Sequence, residues 1–295
     1  MPIHSVFCPG LFSGRVAVVT GGGSGIGFAI ASELLYLGSK VVIASRNAER
    51  LQEASQKLLK SAELKADQTD MVTCIPCNIR KEDNVKDLFR QVMQKHGRVD
   101  FLVNNGGGQF VQPVAEMSLK GWNAVIETNL TGTFLMCREA YNSYMKSHGG
   151  SIVNIIVAMK NGFPIMAHSG AARAGVENLT RSLALEWAES GVRINCIAPG
   201  TIYSETAAAN YGGIDVFGRA IPGIPAKRLG QPEEISSVVC FLLSPGCSFV
   251  TGECLYADAG EKMHSPATNY SVPNHDRWPK YSWSSGDGNW GKSKL

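Results

Sequence analysis

Thr20-Gly-Gly-Gly-Ser-Gly-Ile-Gly27 follows the apolar run Val16-Ala-Val-Val19 directly and leads at once into the helical stretch Phe28 to Leu37. A strand that turns immediately into a helix, with a ligand across the turn, needs residues that accept positive φ and carry no Cβ. Gly21, Gly22, Gly23, Gly25 and Gly27 meet that need. The following helix aims its free N–H groups and the positive end of its dipole back at the turn, a cradle suited to a pyrophosphate. Gly21, Gly23, Ser24, Gly25, Ile26 and Gly27 are therefore candidate cofactor-binding residues, and Thr20 and Ser24 can add hydroxyl donors. A tight connection without ligand would use the same glycines, so the reading rests on what surrounds them.

Outward from this turn the chain alternates apolar strand and amphipathic helix. Strands are expected at Val16 to Thr20, Lys40 to Ser45, Met71 to Asn78, Phe101 to Asn104, Gly150 to Val157, Arg193 to Ala198 and Cys254 to Ala257. Helices are expected near Ile26 to Leu37, Ala48 to Leu59, Lys81 to His96, Leu119 to Tyr144, Ser169 to Ser190 and Pro232 to Leu243. Continuous Val/Ile strands separated by helices predict a parallel sheet covered on both faces. The fold class is α/β, a single Rossmann-like doubly wound parallel sheet with helices on both faces. A chain of 295 residues, 44% hydrophobic, suits one such domain, expected over residues 1–263. Thr201 to Arg228 breaks the alternation and reads as a substrate lid. Residues 264–295, rich in Ser, Pro, Asn, Gly and Trp without periodicity, read as a loosely ordered tail.

Composition narrows the function. A net charge of +3, with no basic run carrying interleaved aromatics, argues against a nucleic-acid partner. No stretch reaches the about 18 apolar residues of a membrane span, and the N-terminus lacks the pattern of a secretory signal. A soluble, unsecreted protein is expected, which makes the sequons at Asn129, Asn178 and Asn269 chance matches. Eight scattered cysteines fit a reducing compartment. Cys74-Ile-Pro-Cys77 places its thiols on opposite faces of a strand, so no metal site is expected there.

The end of the second strand carries the cofactor choice. An acidic residue here would bind the ribose hydroxyls of NAD. The chain has Ser45-Arg46 instead, and a guanidinium can grip the 2′-phosphate of NADPH; the alternative is that Arg46 merely starts a helix. Asn78, beside Ile79, can meet the adenine edge. After the fourth strand, Asn105, Gly106 and Gly107 allow close approach of the backbone to the ligand, with Asn104 locking the turn. Pro199, Gly200 and Ile202, after the sixth strand, complete the cofactor set.

With TGGGSGIG, NNGGG, the segment around Asn129, APGTI and Thr251-Gly252 in this order, the chain resembles the short-chain dehydrogenase/reductase family from about Gly14 to Gly260. VVIASR, CNIR, FLVNNGGGQF, ETNLTGTF, GGSIVNII and HSGAARAGV, with Ala226-Lys-Arg228, are similar to a peroxisomal branch that reduces trans-2-enoyl-CoA. The resemblance implies NADPH-dependent reduction of the 2,3 double bond of a trans-2-enoyl-CoA thioester, in fatty acid chain elongation or phytol metabolism. It also implies a homo-oligomer, dimer or tetramer, formed through the helices at Leu119 to Tyr144 and Ser169 to Ser190.

The catalytic region departs from the family pattern. Most members place a Ser after the fifth strand and then Tyr-x-x-x-Lys on the next helix, which handles a proton at a carbonyl oxygen. Here the Ser position, near Ile156 and Val157, is aliphatic, and alignment on Ala174-Gly175-Val176 puts Ser169 in place of Tyr and Arg173 in place of Lys. Ser169, Arg173 and Asn129 are the candidate catalytic residues. Arg173 is four residues past Ser169, on the same helix face, and can bind the nicotinamide ribose. Its pKa excludes a proton relay. Asn129 is expected to hold its helix and a water. Thr131, Lys160 and Tyr203 are further donors to a developing enolate oxygen, and His168 is either an acid or a helix cap. Glu177-x-x-x-Arg181 has the spacing of a surface helix pair. Lys227, Arg228 and Lys262 are either CoA phosphate ligands or solvated cations.

Ser293-Lys294-Leu295 matches the peroxisomal targeting tripeptide and implies an import receptor as partner. Two alternatives stand beside the enoyl reductase reading: a 2,4-dienoyl-CoA reductase, and a dinucleotide-binding scaffold without catalysis.

Overall fold

The computed structural model describes residues 3, 5–62, 70–159, 162–209, 215–264, 271–281 and 283. Lys160, Asn269, the glycines at 212–213 and the tripeptide at 293–295 lie outside them.

Seven strands form one sheet in the order β3-β2-β1-β4-β5-β6-β7, every pair parallel. They are β1 (Val16–Thr20), β2 (Lys40–Ser45), β3 (Val72–Pro76), β4 (Phe101–Asn104), β5 (Gly150–Ile155), β6 (Val192–Pro199) and β7 (Cys254–Ala257). The helices are α1 (Gly25–Tyr36), α2 (Ala48–Ser61), α3 (Glu82–His96), α4 (Leu119–Ile126), α5 (Gly132–Ala140), α6 (Lys146–His148), α7 (Ala167–Glu186), α8 (Glu205–Ala209), α9 (Val216–Ala220) and α10 (Pro232–Leu243). Strand order reverses at β1, which has β2 on one side and β4 on the other, and the crevice at this switch point is where such sheets bind ligands.

Alternation within β1 shows why both faces are covered. Ala17 and Val19 point to one side, where Ile30, Leu34, Leu51, Leu58, Ile235 and Val239 of α1, α2 and α10 pack. Val16 and Val18 point to the other, against Leu88, Phe89, Met136, Ala140 and Leu183 of α3, α5 and α7. Cys74 packs toward the first cluster and Cys77 belongs to the second, so their thiols do lie on opposite faces.

Two buried carboxylates tie elements together. Asp100, just before β4, accepts from the Val16 N–H at 2.9 Å and pairs with Arg15 and Arg98 at 2.9 and 2.6 Å. Glu33 on α1 accepts from Ser5 at 2.6 Å and from Ser236 of α10.

The single helix expected from Leu119 to Tyr144 is interrupted by two five-residue π-turns, Glu127–Thr131 and Tyr141–Met145. Such bulges re-aim side chains and are frequent at functional sites. Described residues after Met263 contact the segment from Gly223 to Arg228: His264 donates to the Gly223 carbonyl at 2.9 Å, His275 to Pro225 at 3.0 Å, and Arg228 to Pro279 at 2.5 Å. Among the described residues no helix is long and apolar enough to cross a membrane.

Candidate active site

A cleft of about 1020 Å³ runs over the carboxyl ends of the strands, bounded by the turns that follow β1 to β6, by α7 and by residues of the segment from Thr201 to Phe217. Every cofactor-binding residue expected from the sequence lines it except Gly27. Gly27 lies beneath the turn, where a Cβ would collide with the Gly21 carbonyl and the Asn105 amide. Gly21 itself takes φ +66°, which favours glycine. Ser24 precedes α1 without capping it through its side chain.

Two polar expectations change. Thr20 is buried and its hydroxyl accepts from the Asn105 and Gly106 N–H groups at 3.0 and 2.8 Å, so it secures the β4 loop and offers no donor to a phosphate. Asn104 does not lock that turn. Asn105 does, donating Nδ2 to the Thr20 carbonyl at 3.1 Å. Asn104 points into the core and donates to Asn154 at 2.8 Å, which donates in turn to Thr180 at 2.8 Å. This chain of amides pins α7 to β4 and β5.

Beyond β2, Ser45 and Arg46 line the cleft, and so does Arg50, one helical turn further on. Asn47 caps α2 by accepting from the Arg50 N–H at 2.9 Å, which sets the stem of Arg50 against Gly23. Two guanidinium groups therefore line this end of the cleft, with no carboxylate at the end of β2, and could hold a phosphate. Asn78 accepts from the Arg80 N–H at 3.2 Å and faces the same end of the cleft.

At the opposite end, Asn129 sits in the first π-turn and clamps the β4 loop: Oδ1 accepts from the Gly108 N–H at 3.0 Å and Nδ2 donates to its carbonyl at 2.8 Å. Gln109 follows at once. Ser169 donates its hydroxyl hydrogen to Gln109 Oε1 at 2.7 Å and accepts from Arg173. Arg173, Asn129 and Gln109 line the cleft, whereas Ser169 is fully buried behind Gln109. Ile156 and Val157 form the wall where a family serine would stand, and no tyrosine lines the cleft among the described residues.

The remaining candidates lie elsewhere. His168 is buried, accepts from the Ser169 N–H at 2.9 Å through Nδ1 and meets Phe110 edge-on at 4.4 Å, a helix-start and packing role. Glu177 and Arg181 form an i,i+4 ion pair at 2.5 Å outside the cleft. Thr131 and Tyr203 do not line it. Lys227 donates to the Pro222 carbonyl, Arg228 pairs with Glu234, and Lys262 sits 3.2 Å above the Tyr256 ring; none reaches the cleft.

The cleft also holds Arg50, Gln109 and Glu261, which the sequence did not single out. Arg50 was legible as the residue one helical turn after Arg46. Gln109 and Glu261, which accepts from the Thr201 N–H at 3.1 Å and steadies the turn after β6, depend on contacts sixty residues long and carry no local signal.

The sequence model of a family described as enoyl-(acyl carrier protein) reductase matches residues 21–262. The chain is 38% identical to a peroxisomal 2,4-dienoyl-CoA reductase [(3E)-enoyl-CoA-producing] of Danio rerio, over 88% of this chain and 85% of that protein. It is 35% identical to a probable 2,4-dienoyl-CoA reductase [(2E)-enoyl-CoA-producing] of Bacillus subtilis, over 85% and 97%. Among solved structures, a citronellol catabolism dehydrogenase of Pseudomonas aeruginosa is 41% identical and superposes with a TM-score of 0.76, covering 88% of this chain and 99% of that one.

Proposed function

The chain belongs to the short-chain dehydrogenase/reductase family, and from that premise we propose that it reduces the 2,3 double bond of a trans-2-enoyl-CoA thioester with NADPH. One observation carries this reading: the reacting end of the cleft holds the Arg173–Ser169–Gln109 hydrogen-bonded set beside aliphatic Ile156 and Val157, where carbonyl reductases place a serine and a tyrosine. Carbonyl reduction needs an acid that delivers a proton to oxygen. Reduction at the β-carbon instead builds negative charge on the thioester oxygen as an enolate, which calls for fixed hydrogen-bond donors.

The cleft fits NADPH. Its glycine turn has no room for a Cβ at Gly27, the N-terminus of α1 faces the pyrophosphate position, and Arg46 and Arg50 suit the 2′-phosphate. When bound, the nicotinamide supplies a hydride. Arg173 binds the ribose hydroxyls and adds positive potential while keeping its own proton. Asn129 fixes the backbone at Gly108. Ser169 holds Gln109 Oε1 and so orients the amide, whose N–H is the proposed donor to the developing oxyanion. Ile156, Val157, Phe163 and Met166 give the pocket an apolar wall that excludes water.

The relatives favour a second reading, 2,4-dienoyl-CoA as substrate. Charge again collects on the thioester oxygen, but hydride enters two carbons further along. Incubation with NADPH and either trans-2-hexenoyl-CoA or 2,4-hexadienoyl-CoA separates the readings: a saturated product from the enoyl thioester supports the first, and consumption of the dienoyl thioester alone supports the second. Tight NADPH binding with neither thioester consumed leaves the scaffold. The peroxisome is the proposed compartment, supported by Ser293-Lys294-Leu295 and by the peroxisomal relatives. A homo-oligomer is the proposed assembly, supported by exposed Leu119, Phe134 and Leu185 on α4, α5 and α7.

A further inference from the structure

Cys196 and Cys254 stand opposite each other on the last strand pair, directly in register on β6 and β7. Both pack on the sheet face under α7 with Ile156, Val176 and Ala198, and Thr180 Oγ1 lies 3.0 Å from the Cys196 sulfur. Neighbouring strands run about 4.7–4.9 Å apart, inside the ~4.4–6.8 Å Cα separation that a disulfide spans. Directly opposed Cβ atoms lie just beyond the ~3.5–4.5 Å a disulfide prefers, so closure draws the strands together and leaves a bond that reduces readily. β7 is a four-residue edge strand, paired on one side only among the described residues, and is the element best able to shift.

The two thiols differ. Cys196 is buried, and its hydrogen bond with Cys254, then burial, push its thiol up. Cys254 is half-buried, and that same hydrogen bond holds its thiol below the ordinary range against burial and the Glu177 charge, with Lys262 and Arg181 acting in the same direction. A half-buried thiol with a lowered pKa, directly in register with a buried second thiol, is the arrangement of a redox-reactive pair.

We propose that Cys254 and Cys196 form a reversible redox site whose ligand is a hydroperoxide. The Cys254 thiolate attacks the O–O bond and takes one oxygen as a sulfenic acid; the other oxygen leaves with the electron pair, is protonated, and departs as alcohol or water. The Cys196 thiol then attacks the Cys254 sulfur. The S–S bond forms as the S–O bond breaks, and the departing hydroxide takes the Cys196 proton and leaves as water. Two thiols lose two electrons and the peroxide gains two, and an external dithiol reverses the change. The bond would tie β7 to β6 three residues before the Pro199–Gly200 wall of the cleft.

The test uses the reduced full-length protein, treated with hydrogen peroxide, alkylated with N-ethylmaleimide and digested. The expected result is a peptide pair linked through 196 and 254 and the loss of two alkylated thiols, both restored by dithiothreitol. Cys196→Ser, checked for folding by NADPH binding, should stop at a dimedone-reactive sulfenic acid on Cys254. Full alkylation of both cysteines after peroxide, or oxidation confined to the exposed Cys8, overturns the proposal.

Discussion

Ser169 donates to Gln109 across 2.7 Å, and it is Gln109 that faces the cleft while Ser169 is enclosed behind it. In the proposed reaction, the serine that stands in the family tyrosine's place in sequence acts on substrate through the glutamine that it orients.

Replacing Gln109 with leucine keeps the bulk and removes the donors. If those donors meet the enolate oxygen, kcat should fall on the order of 10²-fold, the usual loss for one oxyanion donor. NADPH affinity, read by fluorescence titration, should stay close to that of the parent. Ser169→Ala should cost less than Gln109→Leu, because it loosens the donor without deleting it.

Arg46 and Arg50 should set the preference for NADPH over NADH. A charged hydrogen bond contributes about 1.5–3 kcal/mol, so Arg46→Ala or Arg50→Ala should weaken NADPH binding by roughly 10- to 100-fold. NADH binding should barely move. Equal losses for both cofactors would remove the 2′-phosphate from the role of these arginines.

Arg173→Ala should raise the KM for NADPH and lower kcat together, since the guanidinium is the proposed ribose ligand and also donates to Ser169. Glu177→Ala should do little, because an i,i+4 helix pair contributes about 0.3–0.5 kcal/mol. A dead Glu177 variant would contradict its assignment as a surface pair.

Stability should depend on pH through Glu33 and Asp100 with opposite signs. Burial raises the Glu33 carboxyl above its ordinary 4.5, although Ser236, Ser5 and Ser237 lower it in part. Its contribution is fully present below 4.5 and is lost as pH rises through the folded value. Glu33→Gln should therefore gain in Tm relative to the parent as pH rises from 4.5 toward neutrality. Burial also raises Asp100, but Arg98, the Val16 N–H and Arg15 outweigh it and hold the carboxyl below 3.8. The Asp100 contribution is present above 3.8 and lost as pH falls through the folded value. Thermal melts across this range on Glu33→Gln and Asp100→Asn check both signs.

The sheet was legible because parallel strands buried on both faces read as unbroken apolar runs; β1, β2, β4 and β7 fall where the sequence places them. The π-turn that aims Asn129 leaves no mark in the helical period, so the clamp on Gly108 was invisible. Asn104 and Asn105 are adjacent and chemically alike, and only the alternation of strand faces sends the first into the core and the second to the turn. The basic pair Lys227-Arg228 looked available for CoA, yet its cations are taken by the Pro222 carbonyl and by Glu234.

In the proposed reaction hydride goes to carbon, and the charge it creates rests on a thioester oxygen. Transfer from NADPH deuterated at the reactive C4 position of the nicotinamide tests it directly. With trans-2-hexenoyl-CoA the expected product is saturated hexanoyl-CoA carrying one deuterium at C3 and a solvent-derived hydrogen at C2. Deuterium found instead on a carbon that began as a ketone or aldehyde carbonyl, with both enoyl and dienoyl thioesters untouched, would contradict it.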